Sequence, residues 1–152
     1  MGTAVHAWDG MSDAAKELLF AALDYAVENA EISEDGFVPF AMHDGADGTR
    51  GLTRFVAEGQ AEGVQAGREA LATVPEGTRA VALAWDGYVT YEDRRTEAVF
   101  VEAQEVGAAA GVLFLQRYLR VDGKVETLGN PLLHGETDPL VRATGDSSGG
   151  ER

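Results

Sequence analysis

The chain has no cysteine, three histidines and two lysines among its 152 residues. Without cysteine there is no disulfide, thiolate nucleophile, Cys-based zinc site or iron–sulfur cluster. Basic residues are also scarce, 12 against 26 acids, and the net charge is −14. Binding to the phosphates of DNA or RNA relies on counterion release at a basic patch, so nucleic acid is not an expected partner. No run of about 18 apolar residues exists, which removes a helical membrane span. Met1 to Gly10 carries neither the positive charge nor the apolar run of a signal peptide, and the expected compartment is the cytoplasm. The nucleotide-binding patterns Gly-x-Gly-x-x-Gly and the P-loop do not occur, and neither does Gly-x-Ser-x-Gly. The four serines, Ser12, Ser33, Ser147 and Ser148, have no base beside them in a structured context. No cofactor is expected.

What is present is ordinary for a folded domain: 45% hydrophobic and 25% charged residues. A chain of this length forms one domain and buries roughly 68–70% of its unfolded surface. Ala, Gly and Val abound while Ile occurs once, the bias of a GC-rich bacterial genome. The acidity is uneven. Residues 1–35 hold eight acids and one base, a net −7 and half of the total. Such a stretch is a solvated helix face, or a surface that attracts a basic protein partner.

Hydrophobic period divides the chain into elements. Residues 1–11 read as a flexible lead-in in which Trp8 docks on the body. Ser12 is an N-cap, with Asp13 and Glu17 placed to suit the helix dipole. Ala15, Leu18, Leu19, Ala22, Leu23, Ala26, Val27 and Ala30 then recur at helical spacing. Residues 37–42 and 51–57 read as a hairpin, its first strand starting or lying at an edge because Pro39 donates no ladder hydrogen bond. A second helix over residues 60–73 carries Gly63 and Gly67, which cost about 1 kcal/mol each and let it lie close to a sheet. Residues 79–91, 96–106 and 112–120 alternate at period two, with a charged turn over residues 92–95. A short strand over 125–128 follows, and residues 129–131 leave the sheet. The expected fold is therefore α+β, ordered α-β-β-α-β-β-β: a single antiparallel sheet of five or six strands with both helices on one face. The domain is expected over residues 12–142, with a disordered Gly/Ser-rich tail over 143–152.

Five segments, Phe37-Val38-Pro39-Phe40-Ala41-Met42, Ala80 to Gly87, Thr96-Glu97-Ala98-Val99, Gln116-Arg117-Tyr118 and Gly129-Asn130-Pro131, carry a resemblance. Over residues 12–133 the chain resembles a family of small bacterial α+β proteins of unknown function. The resemblance implies the same order of elements. It implies no activity and no catalytic residue.

Three groups of residues are candidates for a site. His43, Asp44 and Asp47 lie in the first hairpin turn and offer an imidazole and carboxylates to a divalent cation, although the alternating acids of an EF-hand loop are missing. His6 and His134 lie outside the expected sheet. Asp86 interrupts an apolar strand, and with Glu102 and Arg117 on the following strands it makes a candidate polar cluster, either an ion pair or an acid/base pair. Tyr88, Phe100, Phe114 and Tyr118 alternate on three neighbouring strands and would form an interface if helices cover the other face. The favoured reading is a non-enzymatic interaction module that forms a homodimer through a sheet face or edge. The alternatives are an enzyme that uses the carboxylate/Arg cluster or a metal at the His43 turn, and an acidic inhibitor or immunity-type protein for a basic partner.

Overall fold

Ser12 starts the long helix as its spacing requires. In the computed structural model, which describes residues 6–145, its hydroxyl oxygen accepts from Ala15 N at 3.1 Å. Its own N–H donates to Glu105 Oε1 at 2.9 Å, so a distant strand supplies the acid half of a capping box. A short turn, α1 (His6–Asp9), precedes this helix, α2 (Asp13–Ile32). The apolar stripe of α2, Ala15, Leu18, Leu19, Ala22, Leu23, Ala26 and Ala30, is entirely buried. Val27 is only packed against the core.

The strands are β1 (Phe40–Asp44), β2 (Arg50–Arg54), β3 (Thr73–Pro75), β4 (Ala80–Tyr91), β5 (Arg94–Glu105), β6 (Gly111–Val121), β7 (Lys124–Thr127), β8 (Leu132–Thr137) and β9 (Ala143–Gly145). Helix α3 (Gln60–Leu71) lies between β2 and β3 in sequence. The main sheet has seven strands, ordered β2-β1-β4-β5-β6, with β7 and β8 sharing the far side of β6. Every pairing within it is antiparallel, and the sheet curls into a half-barrel with the helices packed against it. The α+β class and the antiparallel meander are thus as the sequence pattern requires. Two long hairpins close through two-residue turns, Glu92-Asp93 and Asp122-Gly123, and all four residues have positive φ. That geometry matches the right-handed twist of the strands.

The register assigns each side chain to a face. Ala80, Ala82 and Ala84 of β4 join Val99, Val101 and Ala103 of β5 and Val112, Phe114 and Tyr118 of β6 against α2. Val81 and Leu83 point the other way, into a second core with Ala41, Leu71, Val74, Leu140 and Val141. Helix α3 lies on that second side, so the two helices cover opposite faces rather than one. The reason is in the strand: the run Ala80 to Trp85 is apolar on both faces, as a strand covered on both sides must be. Alanines admit α2 on one side, and the larger residues demand a second cover. The glycines of α3 meet that demand by close approach. A Cβ at Gly63 would sit 2.9 Å from the Phe55 carbonyl oxygen, and one at Gly67 would sit 2.6 Å from Leu83 Cδ1.

Trp8 docks on the body as its residue type suggests, packing on Phe114 at 5.0 Å between ring centroids, and the stretch around it forms the α1 turn rather than a loose lead-in. Ala143–Gly145, read as the start of a tail, pair in parallel with β3. Residues 1–5 and 146–152, with Ser147 and Ser148, lie outside the described residues. Strand β8 follows Pro131 where the chain was expected to leave the sheet. Where β7 ends and β8 begins, the buried Gln116 amide fills the gap by donating to the carbonyls of Leu128 (3.4 Å) and Gly129 (3.1 Å). Among the described residues no helix is long and apolar enough to cross a membrane.

Candidate functional site

The face of the sheet that carries α3 is only partly covered. Helix α3 contacts β1, β3 and β4 and leaves most of β5 and β6 without a helix above them. Alternation places Trp85, Gly87, Val89 and Tyr91 of β4 on this face. Phe100 of β5 and Leu115, Arg117, Leu119 and Val121 of β6 share it. Trp85 and Phe100 are register partners and stack at 5.6 Å with an interplanar angle of 7°. Arg68 of α3 lies over the Trp85 ring at 5.6 Å and donates to Glu102 Oε1 at 2.6 Å. Arg117 lies over Tyr91 at 4.4 Å. Tyr91, Leu119 and Val121 are each about 41–42% exposed, a large figure for side chains of this kind on one face. Apolar, aromatic and guanidinium groups therefore meet solvent together here.

This patch differs from the one expected. Of Tyr88, Phe100, Phe114 and Tyr118, only Phe100 belongs to it. Phe114 and Tyr118 are buried beneath α2, Phe114 against Trp8 and Phe20. Tyr88 is 59% exposed on the α2 face, beyond the helix, with Arg95 over its ring. The four residues fail to form one surface because the register puts Phe100 on the opposite face from the other three, and α2 covers Phe114 and Tyr118. Trp85, Tyr91 and Leu119 were missed, and strict alternation from Phe100 across the strands is the signal that finds them.

The candidate polar cluster is also divided. Asp86 lies on the α2 face, whereas Glu102 and Arg117 lie on the other. Glu102 pairs with Arg68, and Arg117 stacks on Tyr91. Asp86 has different company. The Tyr118 hydroxyl donates to Asp86 Oδ1 at 2.8 Å and stands 3.3 Å from Glu97 Oε1. Arg120 Nε lies 3.6 Å from Glu97 Oε2, and its Nη2 donates to the Ser33 carbonyl at 3.1 Å. The Asp86 backbone N–H donates to Gln60 Oε1 at 3.3 Å, and the Gln60 amide donates to the Phe37 carbonyl. Gln60 thereby stands in for a strand partner where β1 no longer reaches β4. A cleft of about 220 Å³ opens beside Asp86, lined also by Glu34, Asp35, Gly36, Tyr88 and Glu97. Burial pushes the Asp86 carboxyl above its ordinary range, the Glu97 charge adds to this, and the Tyr118 hydrogen bond opposes it. Burial and the bond to Asp86 push the Tyr118 hydroxyl far up, so it stays a proton donor.

The His43 turn does not assemble a cation site. Asp44 forms a two-point ion pair with Arg50 at 2.7 and 3.1 Å, which raises the Arg50 pKa. Asp47 Oδ1 accepts from Thr49 N at 2.9 Å, and that bond holds the Asp47 carboxyl low. The His43 ring instead lies across Gly51, whose Cβ, if present, would meet it at 2.4 Å. There it lines an apolar groove of about 490 Å³ bounded by Phe55, Leu71, Val74 and Pro75. Among the described residues no group of three or more His, Asp or Glu is placed to hold a metal. Comparison with known proteins finds no family model, no curated protein and no solved structure that matches the chain.

Proposed function

We propose that the protein is a non-enzymatic interaction module that joins a second copy of itself through the uncovered part of its α3 sheet face. One observation carries this reading: Phe100, Tyr91, Arg117, Leu119 and Val121 share one face of the sheet beyond α3, with Trp85 at the margin of the helix. Aromatic residues and arginine are the types enriched at the energetic centres of interfaces. A two-fold axis requires a patch that complements itself. Arg94 and Arg117 share this face, and the adjoining hairpin tips carry Glu92, Asp93 and Asp122, so both signs of charge are present for that purpose.

Light scattering across a concentration series tests the reading. The native chain is expected to approach twice its monomer mass, and Leu119→Asp to return it to one mass with an unchanged circular dichroism spectrum. A native chain that stays monomeric at high concentration defeats the reading, as does a Leu119→Asp variant that still dimerises.

A further inference from the structure

The cluster around Asp86 is not part of the proposed interface, and its one hydroxyl proton is shared by two carboxylates, with the Gly87 backbone N–H also directed at Asp86. Tyr118 has one hydroxyl proton and two carboxylate neighbours, Asp86 at 2.8 Å and Glu97 at 3.3 Å. Arg120 is 3.6 Å from Glu97, and its buried Nε makes no hydrogen bond. With both carboxylates ionised, one of them lacks a donor from Tyr118. A single added proton on Asp86 resolves this. Asp86 then donates to the Tyr118 oxygen, and the Tyr118 proton turns to Glu97. Asp86 is the acid that takes the proton, because it is the more buried and Glu97 is the one beside the guanidinium.

The same groups hold the link between α2 and β1. Arg120 grips the Ser33 carbonyl at the end of α2. Gly36, at φ +95, lies beside the cluster: a Cβ there would be 3.3 Å from the Gln60 amide nitrogen and in ordinary contact, 3.7 Å, with Asp86 Oδ2. Glu34 and Asp35 on the link line the cleft with Asp86 and Glu97, so an ionised Asp86 faces acids from the link and from β5. From its own strand it faces Tyr88, and from β6 Tyr118 and Arg120. Helix α3 presents the neutral Gln60 amide.

We propose that Asp86, Glu97, Tyr118 and Arg120 form a proton-operated latch on the α2–β1 link. One proton on Asp86 holds residues 33–36 against the sheet, and its loss releases them and opens the cleft. The sign follows from linkage. The closed state binds the proton more tightly than the open one, so closure is strongest in acid and weakens as pH rises through the Asp86 titration. Across the titration the ratio of closed to open molecules falls about tenfold for each unit by which the two states' Asp86 pKa values differ.

Amide hydrogen exchange, corrected for intrinsic rates, reads the latch. Protection at Gly36 and Phe37 is compared with that at Val99 and Val101 between pH 4 and pH 8, alongside the carboxyl carbon shift of Asp86. Link protection is expected to fall relative to the core along the Asp86 titration. In Asp86→Asn it should be flat with pH. In Glu97→Gln, where Tyr118 serves one carboxylate, the fall should shrink and the Asp86 titration move to lower pH. Flat link protection in the native chain would overturn the proposal. So would a pH response that persists in Asp86→Asn or is unaltered in Glu97→Gln.

Discussion

The two faces of the sheet solve different problems. On the α2 face a twenty-residue helix lies over rows of alanine and valine, and Trp8, Phe20 and Phe114 plug one end. On the α3 face a twelve-residue helix with two buried glycines covers the β1 side, Leu140 and Val141 cover the Val81–Gln104 end of β4 and β5, and the opposite end stays open. Small strand residues with a long amphipathic helix make a sealed core. Large strand residues under a short helix leave surplus apolar surface. Burial is thus most complete on one side, and the other side keeps exposed apolar and aromatic groups.

The contrast is sharpest in its response to truncation. Leu19→Ala removes a fully buried side chain from the sealed side and is expected to cost about 2–5 kcal/mol in urea unfolding. Leu119→Ala on the open side, compared at a concentration where the chain is monomeric, should stay within about 0.5 kcal/mol. Equal losses at the two sites would erase the distinction.

Gly63→Ala probes how closely α3 is seated. Helix propensity alone favours alanine by about 1 kcal/mol. However, the new Cβ would meet the Phe55 carbonyl oxygen and Pro39 Cγ, both at 2.9 Å. Overpacking of this kind costs about 1–3 kcal/mol, and we expect the variant to unfold at lower urea than the native chain. A stabilised variant would mean that α3 rides higher than these contacts allow.

A smaller effect should follow from Arg68→Ala, which strands the buried Glu102 carboxylate on the covered side. An unpaired buried charge can cost about 3–5 kcal/mol. The Arg68 side chain is 40% exposed, so water already screens the pair. We expect about 1–2 kcal/mol by thermal or urea unfolding, and less for Glu102→Gln, which keeps a polar partner for Arg68.

Much of this architecture is legible in local pattern. The α2 stripe, the cap at Ser12, the long alternating strands and the glycines of α3 follow from residue spacing. What escaped depends on register. Alternation alone leaves the β4–β5 register open, whereas the two-residue turn at Glu92-Asp93 fixes Asp86 opposite Val99. That register separates Asp86 from Glu102 and Arg117 and brings Glu97 and Tyr118 toward it. Helix sidedness was equally hidden, because a strand apolar on both faces demands two covers and alternation alone does not say which helix supplies which. Strands β3 and β9 are three residues each and exist only through each other, about 70 positions apart, so no local signal marks them.

The shared flank of β6 has a consequence for solubility. An unbroken eleven-residue edge would template the addition of foreign chains, the route by which sheet proteins grow into fibrils. Here two short strands occupy that border, and the amide of Gln116 occupies the carbonyls at their junction. The opposite border, β2, is five residues long with arginine at each end. Neither margin offers a long, flat ladder, so the rims give little template for runaway polymerisation even where the sheet surface beside them is exposed.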